Sequence, residues 1–481
     1  MSATQRFDFD LAIVGSGGGA FAAAIRATNL GKSVLMVERS TIGGTCVNTG
    51  CVPSKALLAA AEARHVAMDA GGRFPGITTG AGPVDMPGLI SGKRDLVEGM
   101  RLEKYVDLIE DYGWELRHGT ASFAGTPEEP VLDIVSAGGA RETVTASHYL
   151  VAAGSAPWVP AVPGLQDTGY LTSTTAMELD EVPESLLVVG GGFVALEQAQ
   201  LFARLGSKVT MLVRSRLASA EEPEVSLALM SVFTDEGIRV IRRATLVSVS
   251  QDAVTGGVKA VADVSGSREE FRAARLLMAT GRRPITEGLN LETAGVKTGD
   301  RGEVMVEKTL ASTNPQIWAA GDVTGHREFV YVASAHGALA VDNAFNDAGR
   351  EVDYRHLPRV VFTSPAVAAV GLTDKEANGA GISCECRVLP LEYVPRALVN
   401  RDTRGFIKLV AENGTGKILG LTAVGKEAGD LAVAGVYILA AGMTVEQVAN
   451  MWSPYLTMAE GIKIAAQSYT TDISRLSCCA S

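Results

Sequence analysis

Asp10-Leu11-Ala12-Ile13-Val14-Gly15-Ser16-Gly17-Gly18-Gly19-Ala20 opens a fold that the residues up to Glu38 complete. Leu11 to Val14 is an unbroken apolar run, the composition of a parallel strand buried on both faces. The glycines follow at once, and good helix formers run from there to Asn29. Gly31 ends that helix, and Ser33 to Val37 is a second strand closed by Glu38. The order is strand, G-x-G-x-x-A, helix, strand, acid, within one βαβ unit, and it predicts a dinucleotide site. Gly15, Gly17 and Ala20 let the backbone approach a pyrophosphate at the helix N-terminus, and Glu38 is placed to accept from a ribose 2′-hydroxyl.

The pattern occurs twice. Leu186-Leu187-Val188-Val189 is a second apolar strand, followed by Gly190, Gly192 and Ala195 at the same spacing. Helix formers run to Leu205, Gly206 caps, and Lys208 to Val213 is the next strand. Two dinucleotide folds imply two nucleotide ligands. Where the first repeat has Glu38, the second has Arg214-Ser215-Arg216. Guanidinium groups match a 2′-phosphate that an acid would repel, so this fold is expected to take NADPH. Apolar strands ending in Ala153-Gly154 and Thr280-Gly281 bracket the second repeat, and Ile317 to Asp322 ends a further strand on Gly321-Asp322.

Between the repeats lies Gly43-Gly44-Thr45-Cys46-Val47-Asn48-Thr49-Gly50-Cys51-Val52-Pro53-Ser54-Lys55. Five residues of regular helix rise about 7.5 Å, and a disulfide needs Cα atoms within about 7 Å. If Cys46 and Cys51 bond to each other, the backbone between them is bent. Asn48, Thr49 and Gly50 suit a bend, and Pro53 is expected to resist a regular helical position. A helix start nearby favours thiolate over thiol. The alternative is two unrelated buried cysteines.

Elsewhere, residues 71 to 92 are rich in Gly, Pro and Thr and are expected to be loop. Gly92 to Tyr112 reads as an amphipathic helix with Leu96, Met100, Tyr105 and Leu108 as its apolar stripe. From about residue 355 β-rich runs alternate with two helices, and the chain ends in Cys478-Cys479-Ala480-Ser481. Cys384 and Cys386 alternate on a strand and so face the same way, with ordinary burial as the expected role. The chain of 481 residues has room for two to four domains, and its net charge of −11 argues against a nucleic-acid surface. Six cysteines in that length are no secreted disulfide framework. Met1 to Asp10 shows no basic start leading into an apolar run, and no apolar stretch is long enough to span a bilayer. A cytoplasmic location, away from membranes, is expected.

The paired fingerprints, the two-cysteine stretch and the Gly321-Asp322 strand resemble, in their order and over almost the whole chain, the flavoprotein disulfide reductases. The resemblance implies an α/β protein with two Rossmann-like dinucleotide-binding domains, for FAD and NADPH, plus an α+β C-terminal dimerisation domain, and hence a homodimer. The expected boundaries are 1–155 with 282–354 for FAD, 156–281 for NADPH, and 355–481 for dimerisation. The resemblance places Gly15, Gly17, Ala20, Glu38, Gly44, Thr45 and Asp322 in the FAD site, with Asp322 on the ribityl chain. It makes Cys46 and Cys51 a redox-active disulfide, with Cys51 against the flavin and Cys46 toward substrate, and sets Lys55 and Glu197 near the flavin.

One departure decides the substrate. Most relatives carry a His-Pro-Thr run whose His serves as acid and base for a thiol substrate. Here the corresponding run is Ser453-Pro454-Tyr455-Leu456-Thr457-Met458-Ala459-Glu460, with Tyr455 at the His position. Tyrosine titrates near about 10 and shuttles protons poorly at neutral pH. Reducing an organic disulfide requires protonating a leaving thiolate, whereas reducing a metal ion does not. Together with Tyr170 and the Cys478-Cys479 tail, the pattern implies Hg(II) and its thiol complexes as substrate. Cys46, Cys51, Cys478 and Cys479 are the expected metal ligands. The tail is expected to serve the partner subunit's flavin site, to which Tyr455 and Glu460 also cross. Two rivals are a disulfide reductase with a C-terminal relay and a metal-sequestering protein with a vestigial fold. Tyr455 argues against the first, and two intact fingerprints argue against the second.

Overall fold

The computed structural model describes residues 7–475. Cys478 and Cys479 lie outside the described residues. Two compact units divide the chain, one comprising residues up to Ala56 with Pro87–Trp158 and Gly281–Val352, the other Leu57–Met86, Val159–Thr280 and the residues from Asp353 on.

The first unit is built on a five-stranded sheet in the order Ile317–Ala319, Ala146–Val151, Phe9–Val14, Val34–Glu38, Glu115–His118. Every pairing is parallel. Parallel strands need helical crossovers that cover both faces, which explains why Ala12, Ile13, Leu35 and Met36 are all fully buried. Helices Gly18–Asn29 and Val330–Asn346 pack on one face. They meet so closely that a Cβ on Gly337 would lie 2.0 Å from the Gly19 carbonyl oxygen. An antiparallel meander, Thr120–Gly125, Pro130–Val135 and Arg141–Val144, completes the unit.

The second unit repeats the parallel design in four strands, ordered Arg239–Arg242, Lys208–Val213, Ser185–Val189, Arg275–Met278. It also holds a five-stranded antiparallel sheet in the order Arg359–Val361, Ala366–Gly371, Ile418–Gly425, Phe406–Glu412, Cys384–Pro390. Helices Ala428–Ala440 and Glu460–Gln467 share one apolar core with that sheet. Asp374–Gly379, Pro395–Val399 and Val445–Ala449 are further short helices, beyond the two expected from sequence.

Two local expectations are corrected. Residues 71 to 92 are loop only in the middle, since one helix runs Cys51–Arg73 and the next begins at Met86. Pro87 stands in the first turn of that helix, where a missing N–H costs nothing. The same reason accommodates Pro53 inside the first turn of Cys51–Arg73, against the expected resistance. The stripe on the following helix is also different: Met86, Ile90 and Val97 are buried, while Leu96 and Met100 are exposed. A π-helical segment, Leu102–Val106, then shifts the register. Among the described residues no helix is long and apolar enough to cross a membrane.

Candidate functional site

The cysteine stretch is two helices meeting at a corner. Gly44–Asn48 is a single short helix, and Cys51 opens the 23-residue helix Cys51–Arg73. The Asn48 side-chain amide donates to the carbonyls of Ile42 and Gly44, both at 2.9 Å, and ties off the first helix. Thr49 N–H closes back on Thr45 O at 3.0 Å. Gly50 is where the helices press together: a Cβ there would sit 2.8 Å from Thr45 O. Bending at Thr49-Gly50 thus brings Cys46 and Cys51 side by side.

The two cysteines are not joined by a disulfide; Cys46 is half-buried and Cys51 exposed. The Cys46 thiol is pushed well above the usual thiol range, first by its hydrogen bond to Cys51, then by burial and by negative charge on Cys51. The Lys55 ammonium pulls it the other way. The pair stands beside a cation and at the positive end of a long helix. It can close to a disulfide or, on losing both protons, hold one soft cation between two thiolates.

Tyr105 belongs with this pair. Its hydroxyl is pushed up by burial and then by the charges of Cys46 and Cys51. Its ring stands edge-on to Phe21 at 4.8 Å. Sequence reasoning had Tyr105 only as part of an apolar stripe, and the signal overlooked was its polar tip on a stripe with irregular spacing.

The first glycine loop has the shape of a dinucleotide cradle. Gly15, at φ +105°, cannot carry a side chain, because a Cβ would lie 2.5 Å from Ala152 O. Gly17 faces open space, with only Gly44 Cα within 4 Å of a would-be Cβ at 3.8 Å. Gly17 is also the N-cap of Gly18–Asn29, and no side chain caps that helix. Its first N–H groups are left for an anion. Ala20 is fully buried at the helix–sheet contact. Gly44, with φ +66°, comes so near Gly17 that a Cβ would meet Gly17 Cα at 2.6 Å, while Thr45 is exposed beside it. Glu38 is buried and already oriented: it accepts from Ser16 Oγ at 2.7 Å, Ser40 N at 2.7 Å and Ser40 Oγ at 3.0 Å. Asp322 accepts from Ser155 Oγ at 2.6 Å, and Arg282 Nε donates to that same Ser155 Oγ at 2.8 Å. Ser155 and Arg282, which sequence reasoning missed, hold Asp322 in place. Gly15, Glu38, Gly154 and Asp322 all follow the carboxyl ends of parallel strands in one sheet, the edge at which such sheets bind ligands. These residues fit a dinucleotide.

The second loop repeats the geometry. A Cβ on Gly190 would lie 2.2 Å from Ala279 O, and one on Gly192 would meet nothing within 4 Å. Ala195 is fully buried. Arg214 is exposed at the strand end. Arg216 instead turns onto its own loop, where it donates to the carbonyls of Ser219, Glu221 and Glu222. Glu197 is buried on helix Phe193–Leu205 and accepts from Phe362 N at 2.9 Å. Tyr170 is half-buried, next to the Leu171–Leu277 bridge that pins its segment to the parallel sheet.

Tyr455 is exposed on a turn whose next residue, Leu456, has φ +61°. A non-glycine residue in that region is strained by about 1 kcal/mol or more. Glu460, buried at the start of Glu460–Gln467, holds the turn by accepting from Leu456 N at 3.2 Å. Glu460 therefore supports the backbone that presents Tyr455.

The family described as pyridine nucleotide-disulphide oxidoreductase matches residues 9–337, and the dimerisation domain of the same family matches residues 357–466. A mercuric reductase of Streptomyces lividans is 58% identical, over 98% of this chain and 98% of its own. A mercuric reductase of Staphylococcus aureus is 44% identical, over 98% of this chain and 84% of its own. Among solved structures, the Cu(II) complex of the HOCl-induced flavoprotein disulfide reductase RclA from Escherichia coli superposes with a TM-score of 0.85 at 26% identity, over 96% of this chain and 99% of that one.

Proposed function

The chain belongs to the pyridine nucleotide-disulphide oxidoreductase family, and from that premise we propose that it is an NADPH-dependent, FAD-containing reductase of Hg(II). The observation that carries the substrate is Tyr455, on a braced turn at the position where disulfide-reducing relatives have their His. The overall reaction is NADPH + Hg(SR)2 + H+ → NADP+ + Hg(0) + 2 RSH. FAD, when bound, supplies the two-electron relay between NADPH and the thiol site.

The chain's own residues do the rest. Gly15, Gly17, Ala20, Glu38, Gly44, Thr45 and Asp322 hold FAD, and Gly190, Gly192, Ala195 and Arg214 hold NADPH, with Arg216 bracing the loop that follows Arg214. Cys46 and Cys51 displace two small thiolates from Hg(II) and pass their protons to the leaving sulfurs. Lys55 favours the thiolate form of the pair. Tyr170 and Tyr455 steady the metal or its thiolates with their hydroxyls, and Glu197 and Glu460 position the elements around them. The domains follow as 1–155 with 282–354 for FAD, 156–281 for NADPH and 355–481 for dimerisation. In the homodimer, Cys478 and Cys479 deliver Hg(II) in trans, to the redox pair of the partner subunit.

The deciding experiment is anaerobic NADPH oxidation with Hg(II) in excess small thiol, with elemental mercury measured in the gas phase. Oxidised thioredoxin is the rival substrate. Mercury release matched to NADPH consumption is expected, with little turnover of the protein disulfide. The opposite preference would overturn the proposal. Tyr455→Phe and Tyr170→Phe should slow mercury release while leaving flavin reduction by NADPH intact. Delivery in trans is tested in a mixed dimer of one protomer lacking Cys46 and Cys51 and one lacking Cys478 and Cys479. About half of normal activity is expected under excess thiol, and none above the parent dimers if delivery is in cis.

A further inference from the structure

The third pair of cysteines has no part in that reaction. Cys384 and Cys386 lie on Cys384–Pro390, the outermost strand of the antiparallel sheet in the second unit. They stand opposite Glu412 and Val410 of the single neighbouring strand. Residues two apart on a strand point to the same face, and both thiols are free and half-buried. The strand sets their Cα atoms about 6.8 Å apart with side chains roughly parallel. A disulfide needs Cβ atoms about 3.8 Å apart and has Cα atoms at that distance only as an upper limit. Direct oxidation of this pair is therefore strained, while a linear sulfur–metal–sulfur bridge, which is longer than a disulfide, suits the spacing.

We propose that Cys384 and Cys386 form a second binding site for a two-coordinate thiophilic cation, Hg(II) foremost, held between two thiolates on one face of this edge strand. The neighbouring Cys384 acts directly on the Cys386 thiol. Among the described residues no group of three or more His, Cys, Asp and Glu side chains is placed to hold a metal ion together. The pair therefore lacks the further ligands that four-coordinate Zn(II) requires, whereas two thiolates satisfy a soft, linear ion. Lys408 lies close by, its charge shared with three carboxylates, of which Asp374 opposes it at Cys386. Lys408 is 2% exposed, pairs with Glu224 at 2.9 Å, Glu222 at 3.1 Å and Asp374 at 3.8 Å, and acts on Cys386 through space. Tyr469 donates to the carbonyls of Glu385 and Leu409 on this strand and its neighbour.

Loading is ligand exchange with no electron transfer. Each cysteine sulfur forms a bond to mercury, each small thiolate leaves, and the two cysteine protons pass to the leaving thiolates. Burial and the neighbouring Cys384 push the Cys386 thiol up to about 12. The site needs neither flavin nor NADPH, so its test is independent of the proposed reduction.

The test uses the full-length, flavin-loaded protein with Cys46, Cys51, Cys478 and Cys479 all changed to Ser, which leaves only this pair. Hg(II) is presented in excess small monothiol, and unbound metal is then removed by gel filtration. About one Hg(II) per chain should be retained, with the ultraviolet absorption of a mercury–dithiolate, because paired thiolates exchange as a chelate. Cys384→Ser or Cys386→Val in that background should cut retention at least about tenfold. Bound flavin and elution volume report that each variant is folded. In the otherwise natural chain, the Cys384→Ser/Cys386→Ser double variant should retain about one Hg(II) per chain fewer. Retention equal in the pair-bearing and pair-lacking proteins would overturn the proposal, as would retention by either single variant.

Discussion

At Gly15 an added Cβ would lie 2.5 Å from the carbonyl oxygen of Ala152, and at Gly190 one would lie 2.2 Å from that of Ala279. Two residues on, Gly17 and Gly192 both face open space. The two nucleotide folds thus use glycine for the same two reasons: a strand-to-helix turn too tight for a side chain, and a surface that a pyrophosphate can approach. They part company at the end of the second strand. Glu38 is 7% exposed and bonded to Ser16 and Ser40 before any ribose arrives. Arg214 is exposed to water. A buried, pre-bonded acid needs no reordering when its ligand binds, which suits a cofactor that stays. A hydrated guanidinium on the surface attracts a phosphate and lets it go, and salt weakens it, which suits a nucleotide that exchanges at each turnover.

The sharpest way to break this comparison is to fill the two turns separately. Gly15→Ala places a side chain against Ala152 O at φ +105°. It should weaken FAD binding by roughly tenfold or more, visible as colourless protein and a low flavin-to-protein ratio. Gly190→Ala should leave the flavin in place and abolish its reduction by NADPH in stopped-flow measurements. If Gly190→Ala also loses flavin, the two folds do not act as independent sites.

A second difference lies beneath the cofactor carboxylate of the first fold. His336 is fully buried, and its Nδ1 accepts from Gly321 N at 3.2 Å, next to Asp322. Burial, and then the neighbouring His326, push its pKa down to about 4. An unfolded chain protonates this ring at about 6.5, so the unfolded state binds a proton that the folded state refuses. Stability from this group is complete above that value and is lost as pH falls from about 6.5 through about 4, by up to roughly 3 kcal/mol. His336→Gln keeps an acceptor and does not titrate. Its denaturation midpoint, followed by flavin fluorescence, should depend less on pH in this window than that of the natural protein. His65, His148 and His326, also lowered by burial, are present in both proteins, so the difference between the two reports His336 together with its effect on the adjacent His326. Parallel losses in the two would show that His336 is not the acid-sensitive group of the first fold.

Both loops, their strands and the cysteine pair were legible in the sequence because each is a local pattern: glycine spacing, apolar runs and a bend signal within a few residues. The family match and the structural superposition bear out the α/β class and the dimerisation domain. What was not legible depends on residues far apart in the chain. Asp322 could be singled out by its Gly-Asp turn, but Ser155 and Arg282, which hold it, come from distant segments. Tyr105 lies in a π-helical segment, Leu102–Val106, and a regular helical count does not anticipate its register. The helix read from Gly92 in fact begins at Met86; its first turns were taken as loop because of Pro87, although a proline in a first turn is harmless.

The smallest expected effect separates the two arginines that sequence reasoning treated as a pair. The Arg216 guanidinium donates to the carbonyls of Ser219 at 2.9 Å, Glu221 at 2.6 Å and Glu222 at 3.2 Å. Three carbonyls would lose a charged donor if it were removed, whereas Arg214 has open access to water. A hydrogen bond to a charged group contributes about 1.5–3 kcal/mol, so Arg214→Ala should lower the NADPH-to-NADH ratio of kcat/KM by about tenfold or more. That loss should shrink at high salt, since an exposed charge is screened. Arg216→Ala should change the ratio less and instead lower Tm by about 2 °C, the equivalent of roughly 1 kcal/mol in a domain of this size. The double variant should shift preference toward NADH no more than about the product of the two single changes if the roles are separate. A larger ratio change in Arg216→Ala than in Arg214→Ala, with Tm unchanged, would mean that Arg216 leaves its loop carbonyls for the 2′-phosphate when NADPH binds. The second fold would then gain its order from the ligand, in direct contrast to the pre-bonded Glu38 of the first.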